Sequence, residues 1–287
     1  MGFVVNERWP GKGVEADIYQ GPVTARDLFS VVEKADPDQL LRDLRAVDQE
    51  NYKPHTEPSS WDQPKFYWIF KNMDFEKWHY TRSSEVLWLS GPAECRISGV
   101  SSCIVDLFKG KPSQTQHLVL YFFCSTASAQ NRIANTFVNT ILHQLAHRLP
   151  QLKRKVITVF LRALLDRILR DEPLSDPGRS RFKINDSAKE TVEKILNSSS
   201  SGYWGALLAV IGIEREKELS LIIDGLDKIE HQKGEFIQQL CVFIKNLSER
   251  PSSTRVLLTS QPQAEIKEVL GQLPSIEYDR ERKGEIF

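Results

Sequence analysis

No stretch of this 287-residue chain approaches the roughly 18 consecutive apolar residues of a membrane-spanning helix, and no charged-then-apolar leader opens it. A membrane is therefore not an expected partner. Net charge is absent too, since 38 Lys and Arg balance 38 Asp and Glu. Such a chain lacks the broad basic footprint of a nucleic-acid binder, and Lys153-Arg154-Lys155 reads as a solvated helix start. Cysteine is scarce: Cys95, Cys103, Cys124 and Cys241 form no C-x-x-C pair, and several lie in apolar runs. Buried thiols in a reducing, cytoplasmic setting are expected. Asn6 stands where a myristoylation signal needs Ser or Thr. Sequons at Asn185, Asn197 and Asn246 carry no meaning in a cytosolic chain.

What is there is ordinary in amount and informative in order. A hydrophobic content of 40% and a charged content of 26% allow a normal core, in one large α/β domain with an appendage or in two small domains. Residues 1–64 read as a polar extension. Its apolar positions between Asp27 and Val47 predict one or two short helices broken near Pro37, and Pro54–Pro64 reads as a linker. The aromatic segment KFYWIFKNMDFEKWH, Lys65–His79, predicts a helix docked on the next domain by its aromatic face rather than a base-stacking platform.

Beyond it, β-rich runs alternate with helical patterns. The strand candidates are Val86–Leu89, His117–Cys124, Leu219–Ile223, Thr254–Thr259 and Ser275–Tyr278. Between them lie helical patterns at Ser98–Phe108, Ala129–Arg148, Gln151–Arg170, Tyr203–Ile213, Gly234–Arg250 and Gln263–Leu273. A capping box at Ser187 and Glu190 opens one more. This alternation predicts a parallel sheet with helices on both faces. His143 and His147 have the spacing of a zinc helix, but Gln144 replaces the Glu such a helix uses, so they read as a polar helix face.

The first strand ends in a turn laid out like a phosphate-binding loop, whose pattern is G-x-x-x-x-G-K-[ST]. Its positions here are Gly91, Pro92, Ala93, Glu94, Cys95, Arg96, Ile97 and Ser98. The first Gly and the final Ser are in place. Arg96 replaces the second Gly, and Ile97 replaces the Lys. Cys95 is a small loop residue, with a reactive thiol at a helix N-terminus as the alternative. Alone, such a loop is weak. Later, however, one strand ends in Asp224, where a P-loop enzyme holds Mg²⁺, and the next ends in Thr259-Ser260. Three strand ends of one parallel sheet would then meet at one rim.

Together, KFYWIFKNMDFEKWH, VLWLSGPAECRIS, LVLYFFC, SLIIDGLDK and RVLLTSQP resemble the NACHT NTPase domain. They are most similar to the nephrocystin-3-like N-terminal domain of fungal multidomain proteins. The resemblance spans Lys65–Phe287. It implies a three-layer αβα fold of the P-loop class with a mainly parallel five-stranded sheet. It also implies ATP or GTP with Mg²⁺, and nucleotide-controlled switching in signal-transducing oligomers. The implied phosphate site is Gly91, Pro92, Ala93, Glu94, Cys95, Arg96, Ile97, Ser98 and Gly99, with Ser260 from the later strand. Ser98 and Asp224 are the implied Mg²⁺ ligands, and Asp227 is the candidate catalytic carboxylate.

The chain departs from the family wording at charge-handling positions. Ile97 removes the phosphate-binding Lys, worth roughly 1.5–3 kcal/mol as a charge-assisted hydrogen bond. Arg96 adds a side chain where the backbone should close around phosphate. Glu94 puts a carboxylate in place of a usual Gly. Lys228 stands where Glu is usual, and Gln261 where Arg is usual. Arg96 or Lys228 is placed to reach a phosphate in compensation. The expectation is an interaction module with lost or impaired hydrolysis. The alternatives are an active switch with an unusual loop and, since the chain stops at Gly284-Glu-Ile-Phe287, a fragment of a larger sensor.

Overall fold

The computed structural model describes residues 23–44, 46–54, 67–81, 83–110, 117–124, 133–172, 181–183, 186–197, 200–214, 217–250 and 253–278. Most of the linker expected at Pro54–Pro64, the start of the helix expected from Ala129 and the tail from Gly284 lie outside them.

Among the described residues, five strands form one sheet: β1 (Glu85–Ser90), β2 (His117–Phe123), β3 (Glu218–Asp224), β4 (Thr254–Ser260) and β5 (Ser275–Glu277). All pairings are parallel, in the order β2-β3-β4-β1-β5. This is the alternation expected from the sequence, and it gives a P-loop-like three-layer αβα architecture.

Side chains alternate along each strand and divide two cores. On one face Leu118, Leu120, Phe122, Leu221, Ile223, Val256 and Leu258 meet a thick helical layer. It contains α6 (Ile133–Arg148), α7 (Lys153–Asp171), α9 (Ser200–Ile211), α10 (Lys233–Ser248) and α11 (Ala264–Leu270). On the other face Val119, Tyr121, Phe123, Ile222 and Leu257 meet α5 (Ile97–Lys109). Both faces of β4 are covered, so every residue of it is buried, as a continuous apolar run requires.

The extension packs into the thick layer. In α1 (Ala25–Lys34) and α2 (Pro37–Asp43), Leu28, Val32, Leu40 and Leu41 join the core of α6 and α7. Thr24 and Asp27 form a capping box that starts α1, and Pro37 opens α2 at a position where a missing N–H costs nothing. The capping box read at Ser187 and Glu190 starts α8 (Ala188–Leu196).

The chain then passes around the edge of β2. Leu44 C=O accepts from Asn139 on one layer, while Pro54 C=O accepts from Ser102 on the other. Gln49 Oε1 accepts from the Phe123 N–H. Gln144 on α6 takes the Tyr121 N–H and donates to the Tyr121 C=O. Two glutamines thereby satisfy backbone groups of an edge strand that would otherwise invite pairing. Gln144, the residue that breaks the zinc-helix motif, is a clasp on this strand.

The aromatic segment folds as α3 (Tyr67–Phe70) and α4 (Met73–Tyr80). Trp78 is buried against Phe75 and Phe108, and Trp68 packs edge-on to Tyr278. Buried Arg255 of β4 donates to the carbonyls of His79 and Thr81 and pairs with Glu218. Cation-to-carbonyl bonds of this kind secure a helix C-terminus. The segment docks on the domain as its aromatic pattern predicts. Among the described residues, no helix is long and apolar enough to cross a membrane.

Candidate functional site

The carboxyl ends of β1, β3 and β4 lie side by side, since β4 pairs with both its neighbours in register. Gly91, Asp224 and Ser260 therefore share one rim. Ligand sites of open parallel sheets form at such rims.

The β1–α5 turn stands where a phosphate loop would, between strand and helix, with different occupants. A short 3₁₀ turn, Ala93–Cys95, turns the N–H groups of Cys95 and Arg96 onto the carbonyls of Pro92 and Ala93. Gly91 N–H donates to the Ser260 C=O, and Gly99 N–H to the Arg96 C=O. Arg96 sits at φ 51°, ψ 42°, left-handed backbone that costs an L-residue about 1–2 kcal/mol. The position that matches the second Gly of the motif thus has a conformation that favours glycine, with arginine in it. Glu94 and Arg96 both point into solvent.

Ile97, at the lysine position, does not extend along the loop. It is 8% exposed and belongs to the core beneath α5. Its Cδ1 lies 2.9 Å from where a Cβ on Gly91 would stand, and Tyr278 Cβ is equally close to that place. Gly91 is therefore favoured by close packing of two side chains.

Asp224 is fully buried at the end of β3. Its Oδ1 accepts from Ser101 Oγ at 2.8 Å and from Thr259 Oγ1 at 2.7 Å. Thr259 in turn accepts from the Gly225 N–H at 3.1 Å. Ser98 Oγ accepts from Lys228 Nζ at 3.1 Å, and that ammonium lies 3.6 Å from Asp224 Oδ2. Burial first, and then the Asp224 carboxylate, push the Cys124 thiol well above its ordinary value, which leaves this thiol inert.

Among the residues expected at the site, the structure brings Ser98 and Asp224 together through Lys228. It separates Ser260, whose Oγ accepts from Trp88 Nε1 at 3.0 Å on the opposite face of the sheet. Asp227 accepts from the Gln261 N–H at 2.9 Å, tying the end of β4 to the turn after β3. Pro92, Ala93 and Gln261 are exposed, and Cys95 and Gly99 are half-buried. Sequence reasoning overlooked Ser101 and Trp88. Ser101 lies one helical turn beyond Ser98, and that spacing was the signal for it. Thr259 was in view beside Ser260, but the pleat sends it, and not its neighbour, to Asp224.

A parallel αβα sheet with a strand–turn–helix unit and a buried acidic strand end at one rim defines a P-loop-like domain. Residues 65–261 match the family described as "Nephrocystin 3, N-terminal", and the chain belongs to that family. It is also similar to the Vegetative incompatibility protein HET-E-1 of Podospora anserina, 25% identical over 118 residues. Those residues are 40% of this chain and 8% of that protein, so the chain spans a small part of its relative. These likenesses mark a nephrocystin-3-like N-terminal domain of the NACHT-related type, as the motifs implied.

Proposed function

We propose that this chain is a NACHT-type domain of a signalling or scaffold protein, with nucleotide hydrolysis impaired or lost, acting through protein partners or self-association. The signalling role rests on the family and on the incompatibility function in the relative's name. A reducing, cytoplasmic setting suits the four cysteines.

One observation carries the loss of hydrolysis. The side chain at the lysine position, Ile97, is buried in the core beneath the loop. Phosphoryl transfer depends on positioning and on cations held against the phosphates. Here the principal cation is missing, and the side chain in its place is anchored elsewhere. Two loop N–H groups that a phosphate would need are spent within the loop. Asp227 acts as a positioning group, because its carboxylate holds the Gln261 N–H.

The rival reading, an ATP- or GTP-hydrolysing switch, draws on Ser98 and Asp224, which share the Lys228 ammonium. A steady-state phosphate-release assay separates the two. The proposal expects no turnover above background with ATP or GTP. Turnover that Asp224→Ala abolishes would establish the active switch. The double change Arg96→Gly with Ile97→Lys should restore nucleotide binding in a calorimetric titration before any turnover returns.

A further inference from the structure

The corner formed by Ser98 and Asp224 already contains a cation. With Asp224 Oδ1 taken by Ser101 and Thr259, Oδ2 is a buried oxygen with no hydrogen-bond partner among the described residues. It faces Lys228 Nζ at 3.6 Å, and the same ammonium donates to Ser98 Oγ at 3.1 Å. The backbone directs the lysine there. Gly225 at φ 76° starts the tight turn Leu226–Lys228. Lys228 Cδ, Cε and Nζ then fold back to 3.0–3.1 Å from the place a Cβ on residue 225 would take. Any other residue at 225 would meet both a strained φ and this stem.

A magnesium ion would need oxygens at about 2.0–2.1 Å, from the same Ser98 hydroxyl and the same Asp224 oxygen. The ammonium already engages both oxygens, at 3.1 and 3.6 Å, and two cations sharing them repel strongly in a partly desolvated site. As arranged, these residues do not fit a divalent metal. We propose that Lys228 is a tethered replacement for the divalent cation at this rim: it neutralises Asp224, engages Ser98 and makes the corner independent of metal. The inference rests on the P-loop-like reading of the site, but not on the loss of turnover.

The test uses the metal alone, without nucleotide. Thermal unfolding of the native chain should have the same midpoint in EDTA and in millimolar MgCl₂. Lys228→Met keeps the aliphatic stem and removes the charge, leaving Asp224 unpaired. Its midpoint should fall by about 2–4 °C and recover with MgCl₂ but not with NaCl of equal ionic strength. Adding Asp224→Asn should abolish that recovery. Should Lys228→Met not fold, Lys228→Gln makes the same comparison.

Three results would overturn the proposal. One is a native midpoint that rises with MgCl₂ and loses the rise in Asp224→Asn. Another is a lysine variant with an unchanged midpoint. The third is a lowered midpoint blind to MgCl₂. A native chain that released phosphate from ATP, yet ignored MgCl₂ in the melt, would sink the hydrolysis-loss reading and leave this one standing.

Discussion

At the inner half of the rim, Asp224, Thr259 and Ser101 are buried and bonded to one another, whereas at the outer half Glu94, Arg96 and Gln261 stand in solvent. The inner group reads as the family wording does at Asp224. The outer three all depart from it. Burial explains the difference. A buried donor that loses its acceptor pays its full desolvation cost, so each member of the inner group holds the others in place. An exposed side chain turns to water at little cost. The two remaining departures lie between these extremes, and each has acquired a structural use. Ile97 extends the core under α5, and Lys228 fills the corner beside Asp224.

The largest effect should come from the inner half. Asp224→Ala strands the hydroxyls of Ser101 and Thr259 and leaves Lys228 unpaired. Urea unfolding should show a loss of about 3 kcal/mol, two charge-assisted hydrogen bonds net of relaxation. A loss below about 1 kcal/mol would erase the contrast between the halves.

Arg96→Gly should do the opposite at the outer half. The left-handed backbone at φ 51° is strained for arginine, and glycine relieves about 1–2 kcal/mol of it. Glycine's larger unfolded-state entropy takes back about half. The net expectation in the same assay is a gain of about 0.5–1 kcal/mol. No gain would mean that the arginine side chain contributes something its exposed position does not suggest.

Glu94→Ala and Gln261→Ala should each change stability by no more than about 0.5 kcal/mol. For Gln261 the reason is specific: Asp227 holds its backbone N–H, which the substitution leaves intact. A larger loss would show that the side chain, and not the backbone, closes that turn.

The least invasive comparison needs no substitution. Cys95 lies half-buried on the loop, while Cys103 and Cys124 are buried, with the Cys124 thiol pushed up by burial and by Asp224. Iodoacetamide at neutral pH should label Cys95 first, Cys241 more slowly because burial raises its thiol too, and the buried pair only on unfolding. Mass spectrometry of digests reads the order. Early labelling of Cys124 would mean that the inner half opens readily.

Most of the fold could be read directly from residue order. Runs such as Leu118–Phe123 and Leu219–Ile223 are too apolar and β-branched or aromatic to be anything but strands covered on both faces, and the helices between them repeat with helical period. The loop and Asp224 were legible as well, because strand ends with Gly, Asp or Ser break an apolar run abruptly. Arg96 was visible as a misfit, but not its positive φ, since side chain and backbone conformation need not change together.

The sequence by itself determined the alternation of elements, the family, the docked aromatic segment and the missing lysine, all of which are local in the chain. Only the tertiary structure decided that Thr259 and not Ser260 meets Asp224, because the pleat at a strand's last residue sets which neighbour faces which layer. It also decided that Gln49 and Gln144 close the edge of β2, contacts made across 74 and 23 residues of chain. And it put Lys228 between Ser98 and Asp224. A charged side chain that can swing through several ångströms is placed by whichever buried partner most needs it, and that partner is known only once the fold has buried it.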